Sequence, residues 1–415
     1  MSLERIAAEI DKELKQIADE GRSKAPERVI VEVVPPKGEN GPRFKLKGSD
    51  KEFLKMNSNG YLGLAYDARL KKAAHEATEK LGVGPTAVRF IDGTYSPHIE
   101  LEGKLAKFHH KEAAKIFSSA YMANLGLAIT VTNPKTYYIS DELNHNSIIR
   151  SLRIAGVKSE NKTIFKHNNI EDLEAKLKGV PAGMERIIVV FDGVFSMRGD
   201  NAPMDKIVKA CGEHDSKFKD GVITVVDDSH GTAAYGATGR GTPEVANGMN
   251  VDIVTSTMGK GIGSNGGYVA ASAKVIELMR QRADTYIYTN PIAVADAAAS
   301  SASLGIIDSI EGKQLLAKVK ENAIYFRKHI EGMGFETLPG QHPIVPVLVR
   351  DTTKTKKLVS ALFEKGILVV GLTFPVVPKG DETIRTQLCA NHTKADVDYA
   401  IDAFAKAGKE IGIIN

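Results

Sequence analysis

The sequence predicts an α/β protein: a large domain built on a mainly parallel sheet, followed by a smaller C-terminal α+β domain. Three observations predict it. Strand-like and helix-like segments alternate from about residue 66 to residue 295, the pattern of a parallel sheet covered by helices on both faces. The strand candidates include short continuous apolar runs such as "VITVV" at 222–226, which suit burial on both sides. The chain of 415 residues, 42% hydrophobic and 26% charged, exceeds one ordinary domain and can fill a substantial core.

At the N-terminus, Leu3, Ile6, Ala7, Ile10, Leu14 and Ile17 recur at helical spacing, so one amphipathic helix is expected over residues 3–20. Its apolar stripe needs a covering surface, such as a partner subunit. "RVIVEVVPPKGENGPRFKLKG" reads as short strands around a Pro/Gly turn, and residues 1–60 form this leading segment. The large domain, 61–295, opens with helix-like "DARLKKAAHEATEKLG" and "SPHIELEGKLAKFHH". Strand-like "AKIFSS" and helix-like "YMANLGLAITVT" follow. Its remaining strands are "KTYYISD", "TIFKHN", "RIIVVFDGVFS", "VITVVDD", "DIVTSTM" and "GGYVAAS", several separated by helix-compatible stretches. The Ala-rich helix "IAVADAAASSASLGIIDSI" leads out of it. Residues 296–415 then offer "IVPVLVR", helix "TKKLVSALFEKG", "ILVVG", "ETIRTQLCA" and a last helix from Lys394 to about Gly408. The lysines of "DTTKTKKLV" read as the solvated start of a helix.

Composition excludes several classes. The net charge is +4 with acidic and basic residues interleaved, so no nucleic-acid stripe is present. Cys211 and Cys389 stand alone, without a zinc-ligand or disulfide pattern. The N-terminal stretch lacks the apolar core of a signal peptide and is too acidic for a transit peptide. No apolar run approaches the ~20 residues of a membrane span. A cytoplasmic protein with no resident metal is expected.

Ligands of parallel sheets bind beyond the carboxyl ends of the strands. Polar residues gather at those ends: Asp141 and His145 after "YYIS", Ser196 after "IIVVFDGVF", Asp227 and His230 after "VITVV", and Lys260 after "DIVTSTMG". Gly261, Gly263 and Gly266 satisfy GxGxxG. They lead into another strand candidate rather than a helix, however, which argues against a dinucleotide site. An amine at the head of a glycine-rich turn, a strand-end carboxylate and nearby imidazoles suit pyridoxal phosphate. That cofactor needs a Lys to form an imine, an anion to hold its ring nitrogen protonated, and N–H or hydroxyl donors at its phosphate.

The stretches "NSNGYLGLA", "VRFIDGTYSPHIELE", "DELNHNSIIRSLR", "FDGVFSMRGDNAPM", "VVDDSHGTAAYGATGRGTPE", "TMGKGIGSNGGY" and "VVPKGDETIRTQLCANHT" together resemble the α-oxoamine synthases. These are pyridoxal-phosphate enzymes of fold type I that join an amino acid to an acyl-CoA. The resemblance runs in order over roughly residues 57–395. It implies that Lys260 forms the imine and later moves the Cα proton. Asp227 would pair with the ring nitrogen, His230 and Ser196 with the ring's 3-oxygen, and His145 would stack on the ring. The amides of Ala120 and Tyr121 and the Thr257 hydroxyl would hold the phosphate. Thr289 would reach the phosphate of the other subunit, so a homodimer with shared sites is implied. Asn59 and Arg385 would hold the amino acid's carboxylate, a role suited to a guanidinium fork.

Asp228 is expected to be a structural loop carboxylate, and His109 and His110 surface residues. His75, His98, His167 and His214 have no expected role. The chain departs from the family at Gly60, Asn146, Arg150, Asn265 and Pro291, positions expected near the mouth that admits acyl-CoA. Within the family, "FPVVPKG", "IRTQ" and "VRFIDGT" look nearest to glycine C-acetyltransferase (2-amino-3-ketobutyrate CoA ligase), which uses glycine and acetyl-CoA. The alternatives are 8-amino-7-oxononanoate synthase, other long-chain members and, in another class, an aminotransferase or aldolase without CoA chemistry. Whether the product keeps its carboxylate is left open.

Overall fold

The computed structural model describes residues 2–245, 251–374 and 376–415, so Pro375 of "FPVVPKG" lies outside the described residues. The chain opens with helix α1 (Ser2–Asp19) and strands β1 (Ile30–Val34), β2 (Arg43–Leu46) and β3 (Glu52–Lys55). Then come α2 (Ala68–Leu81), α3 (Ser96–Phe108), β4 (Ala113–Phe117), α4 (Ala120–Val131), β5 (Thr136–Asp141) and α5 (Asn146–Ile154). The central strands continue with β6 (Lys162–Phe165), β7 (Arg186–Asp192), β8 (Val222–Asp227), β9 (Ile253–Thr257) and β10 (Gly267–Ala271).

These strands form a seven-stranded sheet in the order β4-β10-β9-β8-β7-β5-β6. Strands β5 to β9 run parallel, whereas β10 is antiparallel to both its neighbours. The sheet is buried on both faces, which is why its strands read as continuous apolar runs. Successive residues of β7 alternate between two cores. Ile188 and Val190 pack with Ala123 and Leu127 of α4. Ile187, Val189 and Phe191 pack with Leu173, Leu177 and Ile207 from helices Ile170–Lys178 and Met204–His214 on the other face.

The C-terminal part holds β11 (Glu336–Thr337), β12 (Ile344–Leu348), β13 (Ile367–Leu368), β14 (Val370–Leu372) and β15 (Thr383–Gln387). Four of them make a sheet in the order β11-β12-β15-β14, and β13 pairs in parallel with β3 of the leading segment. Leu54 and Met56 accordingly share a core with Phe326, Leu358 and Phe404. The longest helix, Ile310–Gly332, is absent from the elements expected from the sequence, although Leu316, Val319, Ala323, Phe326 and Ile330 give it an inward stripe. Helix α1 has no buried residue, and Leu3, Ile6, Ile10 and Leu14 face solvent.

The expectation for His109 is corrected: it is buried, with Nε2 2.7 Å from the Tyr268 hydroxyl of β10. It caps the C-terminal end of α3, where the chain turns back under the sheet, and burial pushes its pKa down to about 3. His110, its neighbour, is exposed. His98 proves structural as well. Its Nδ1 accepts from the Tyr95 amide and its Nε2 lies 2.9 Å from the Ile292 carbonyl.

Candidate active site

The carboxyl ends of the parallel strands meet one recess with about 600 Å³ of empty space, partly open to solvent. Its walls carry Ala120, Tyr121, His145, Ser196, Asp227, His230, Thr257 and Lys260. Eight of the expected side chains or amides, from five separate chain segments, therefore converge.

Lys260 stands on the turn after β9. Burial lowers its pKa from 10.5 to about 8, with Asp227 the main group opposing the shift and Arg385 reinforcing it. The glycine-rich turn leads into strand β10, as expected from the sequence, and Gly263 and Gly266 take positive φ. Gly267 is needed for another reason: a Cβ there would lie 2.1 Å from the Ala120 amide nitrogen. The missing side chain lets β10 run against the start of α4.

Asp227 ends β8. Its Oδ2 accepts from Asn124 Nδ2 at 2.7 Å and its Oδ1 from the Ser229 amide at 3.0 Å. Asn124 also donates to Ser147 Oγ at 3.0 Å, and that hydroxyl lies 2.8 Å from His145 Nδ1. His145 caps α5, and Nδ1 accepts from the Ser147 amide. Burial lowers its pKa, so a neutral ring with its hydrogen on Nε2 is favoured.

His230 is buried, and its pKa is driven well below the usual value, first by burial and then by Lys260 and Arg385. The fully buried Tyr61 hydroxyl lies 2.6 Å from its Nδ1. Burial raises the Tyr61 pKa to about 12, keeping that hydroxyl a donor. The hydrogen of His230 then sits on Nε2. Near enough to act on Lys260 and His230, Arg385 donates through Nη2 to Asn59 Oδ1 at 3.3 Å, and Gln387 Nε2 donates to the same oxygen. Arg385 Nε is buried without a partner among the described residues.

Four expected residues do not line the recess: Asn59 and Arg385, which neighbour it, and Asp141 and Thr289. Asp141 is turned away: it accepts from the Leu143 and Asn168 amides and pairs with His167. Thr289 does not line this chain's own recess. Asp228 is fully buried and held by Thr242 and Thr232, with its pKa raised by burial to about 7. Ser147, Asp192 and Ser229 line the recess, and Asn124, Tyr61 and Gln387 bond to expected residues; none is singled out from the sequence, although all but Asn124 lie within the stretches that carry the resemblance. Only Asp192, a carboxylate at a strand's carboxyl end, obeys the rule that singled out Asp227.

The recess fits pyridoxal phosphate on its own terms. An amine and a carboxylate face one space, and the first N–H groups of a helix have no acceptor within the helix. Ser119 takes the Met122 amide, leaving those of Ala120 and Tyr121 at the wall. Such a helix start favours an anion.

The model of the aminotransferase class I and II family matches residues 51–404. An 8-amino-7-oxononanoate synthase of Thermoanaerobacter pseudethanolicus is 40% identical over 376 residues, 90% of this chain and 92% of that protein. The mitochondrial 2-amino-3-ketobutyrate coenzyme A ligase of Bos taurus is 34% identical over 415 residues, 100% of this chain and 94% of that one. The chain belongs to the α-oxoamine synthases. Among solved structures, the Sphingomonas wittichii serine palmitoyltransferase aligns with a TM-score of 0.88 at 27% identity, covering 100% of this chain and 99% of that one. A serine palmitoyltransferase solved with pyridoxal phosphate as internal aldimine gives 0.85 at 27% identity, covering 98% of each chain. This α-oxoamine synthase is thus a fold-type I transferase that uses pyridoxal phosphate, and the family's reaction is condensation of an amino acid with an acyl-CoA. No described helix is long and apolar enough to cross a membrane.

Proposed function

We propose that this α-oxoamine synthase condenses glycine with acetyl-CoA, releasing CoA. The reading is carried by the stretches "VRFIDGT" and "VVPKGDETIRTQ", and the end-to-end alignment with the bovine ligase supports it. Pyridoxal phosphate, when bound, supplies a cationic ring that draws in the electron pair left when a Cα–H bond breaks. The chain's own residues do the rest.

Arg385, hydrogen-bonded through Nη2 to Asn59, holds the amino acid's carboxylate. Lys260, with a pKa near 8, carries an appreciable neutral fraction at physiological pH and takes the Cα proton. With the cofactor bound, Asp227, fixed by Asn124 and Ser229, would pair with the ring nitrogen. His230 Nε2–H and Ser196 would serve the ring oxygen, and His145 would stack on the ring. Ala120, Tyr121 and Thr257 would hold the phosphate. Thr289 reaches the phosphate of a second copy, and the exposed Leu3, Ile6, Ile10, Phe90, Ile91 and Tyr288 provide apolar surface for that copy to cover. We assign residues 1–60, 61–295 and 296–415 to the leading segment, cofactor-binding domain and C-terminal domain.

A second reading, a longer acyl thioester with alanine, is favoured by an annex beside the recess. It holds about 1220 Å³ of empty space and is lined by Leu143, Phe195, Met197, Leu338, Leu348 and Val377 among others. CoA release measured for glycine, alanine and serine against acetyl- to palmitoyl-CoA separates the two. Glycine with acetyl-CoA is expected to be fastest. Preference for alanine with a six- to eight-carbon thioester would replace it with the second reading, and release from no pair would overturn both.

A further inference from the structure

Two carboxyls end neighbouring strands in the same register. Asp192 of β7 pairs with Asp227 of β8, so both side chains project to one face of the sheet, and both are buried. Their surroundings differ. Asp227 accepts a hydrogen bond on each oxygen, from Asn124 and from the Ser229 amide. Asp192 accepts one, at Oδ2 from the His145 amide at 3.2 Å, and its Oδ1 is buried with no partner among the described residues. Asp192 is also one of three polar residues, with His145 and Ser196, that line both the Lys260 recess and the annex.

We infer that the Asp192 carboxyl donates a hydrogen bond to the carbonyl oxygen of the acyl thioester as its carbon is attacked. This role rests on the acyl-transfer reading and adds a residue to it. Adjacent buried acids do not share charge evenly: donors that favour the anion are all but one on Asp227, so the proton belongs on Asp192. A carboxyl kept neutral in an apolar setting acts as a donor to a developing oxyanion, as in the carboxyl oxyanion hole of ketosteroid isomerase. Burial first, and then Asp227, raises the Asp192 pKa well above the usual range, while the His145 amide and Lys260 oppose this. The charged and titratable groups facing it are Asp227 from β8, Asp141 from β5, Lys260 after β9 and His145 ahead of α5. Its place also suits the step, because Asp192 lines both the annex and the recess that holds Lys260.

Proton removal and acyl transfer can be measured apart. Holoenzyme is mixed with glycine in heavy water without a thioester, and exchange of the Cα hydrogen is followed. CoA release from acetyl-CoA is measured in parallel, and the visible band of the bound cofactor monitors the site. Asp192→Ala is expected to slow CoA release by about 10²–10³-fold, the usual effect of losing one oxyanion donor, and to slow exchange far less, with the band retained. Asp192→Asn keeps an N–H donor and is expected to recover most of the rate. It should also lack the high-pH decline expected of wild type as Asp192 loses its proton. Equal loss of exchange and CoA release in Asp192→Ala, or wild-type release, overturns the proposal. Where Asp192→Ala does not fold, Asp192→Asn decides: a high-pH decline identical to wild type overturns it. Wild-type exchange without CoA release from any thioester refutes the acyl-transfer reading itself.

Discussion

The amine of Lys260 gives the sharpest prediction, because its burial sets a rate that can be followed by eye. Only the neutral amine can attack the aldehyde of pyridoxal phosphate, so the rate of colour formation in cofactor-free enzyme tracks the neutral fraction. At an ordinary pKa of 10.5 that fraction at pH 7 is about 0.03%; at about 8 it is about 10%, a gain of ~300-fold worth ~3.4 kcal/mol. Desolvation is the largest cause, and the Asp227 carboxylate holds the shift back, so the value reflects an amine that is buried but not in an apolar setting. Stopped-flow absorbance across pH 6–10.5 measures it, with borohydride trapping and Lys260→Ala as controls for the site. The rate should rise about tenfold per pH unit below 8 and level off above it. Continued tenfold rises up to pH 10 would show an unshifted lysine and rule out a desolvated amine.

Two further outcomes follow from the buried networks. Asn124→Ala removes the 2.7 Å donor from a buried carboxylate. It should lower the stability of the cofactor-free protein by about 1.5–3 kcal/mol, seen as a lower urea midpoint at unchanged slope; an unmoved midpoint contradicts the assigned bond. His167 bridges Asp141 and Asp200 at 3.1 Å each. Burial alone would lower its pKa, but these two carboxylates outweigh it and raise it to about 9. A raised folded-state value stabilises fully below the unfolded pKa, near 6.5, and the benefit fades as pH rises through 9. Wild type should therefore lose about 2–3 kcal/mol between pH 6.5 and 9.5, after discounting partial exposure. His167→Asn should lack that component, and parallel wild-type and variant stability curves would exclude the bridge.

The parts of the fold visible in the sequence are those set by local pattern. The interiors of strands 186–192 and 222–227 are almost wholly apolar because both faces are covered, and the alternation with helices follows from the same cause. Pairings between distant segments leave no such trace. Nothing in "EFLK" announces that β3 pairs with β13 more than 300 residues later or that β10 runs against its neighbours. Periodicity reports burial, not direction or partner. The helix Ile310–Gly332 did carry a periodic signal, and reading it asks only for the same test applied along the whole chain. His109 shows the converse failure: position in a turn suggested solvent, whereas tertiary packing placed it under Tyr268.

The site divides along the same line. Lys260, Asp227, His145 and His230 are legible because charged or imidazole side chains at the ends of apolar strands are costly without a ligand to face. The residues that set their states are not, since Tyr61, Asn124 and Gln387 are ordinary polar residues whose meaning lies in a 2.6 Å or 2.7 Å contact. Asp192 is the instructive case, because the strand-end rule applies to it as fully as to Asp227. What distinguishes the two carboxyls is how many donors each finds, and that depends on Asn124 and Ser229 reaching one side of a register pair and not the other. Parallel strands cut to one register thus present two acids to one cavity, and the unequal hydrogen bonding behind them can assign anion and proton without any change at the strand ends themselves.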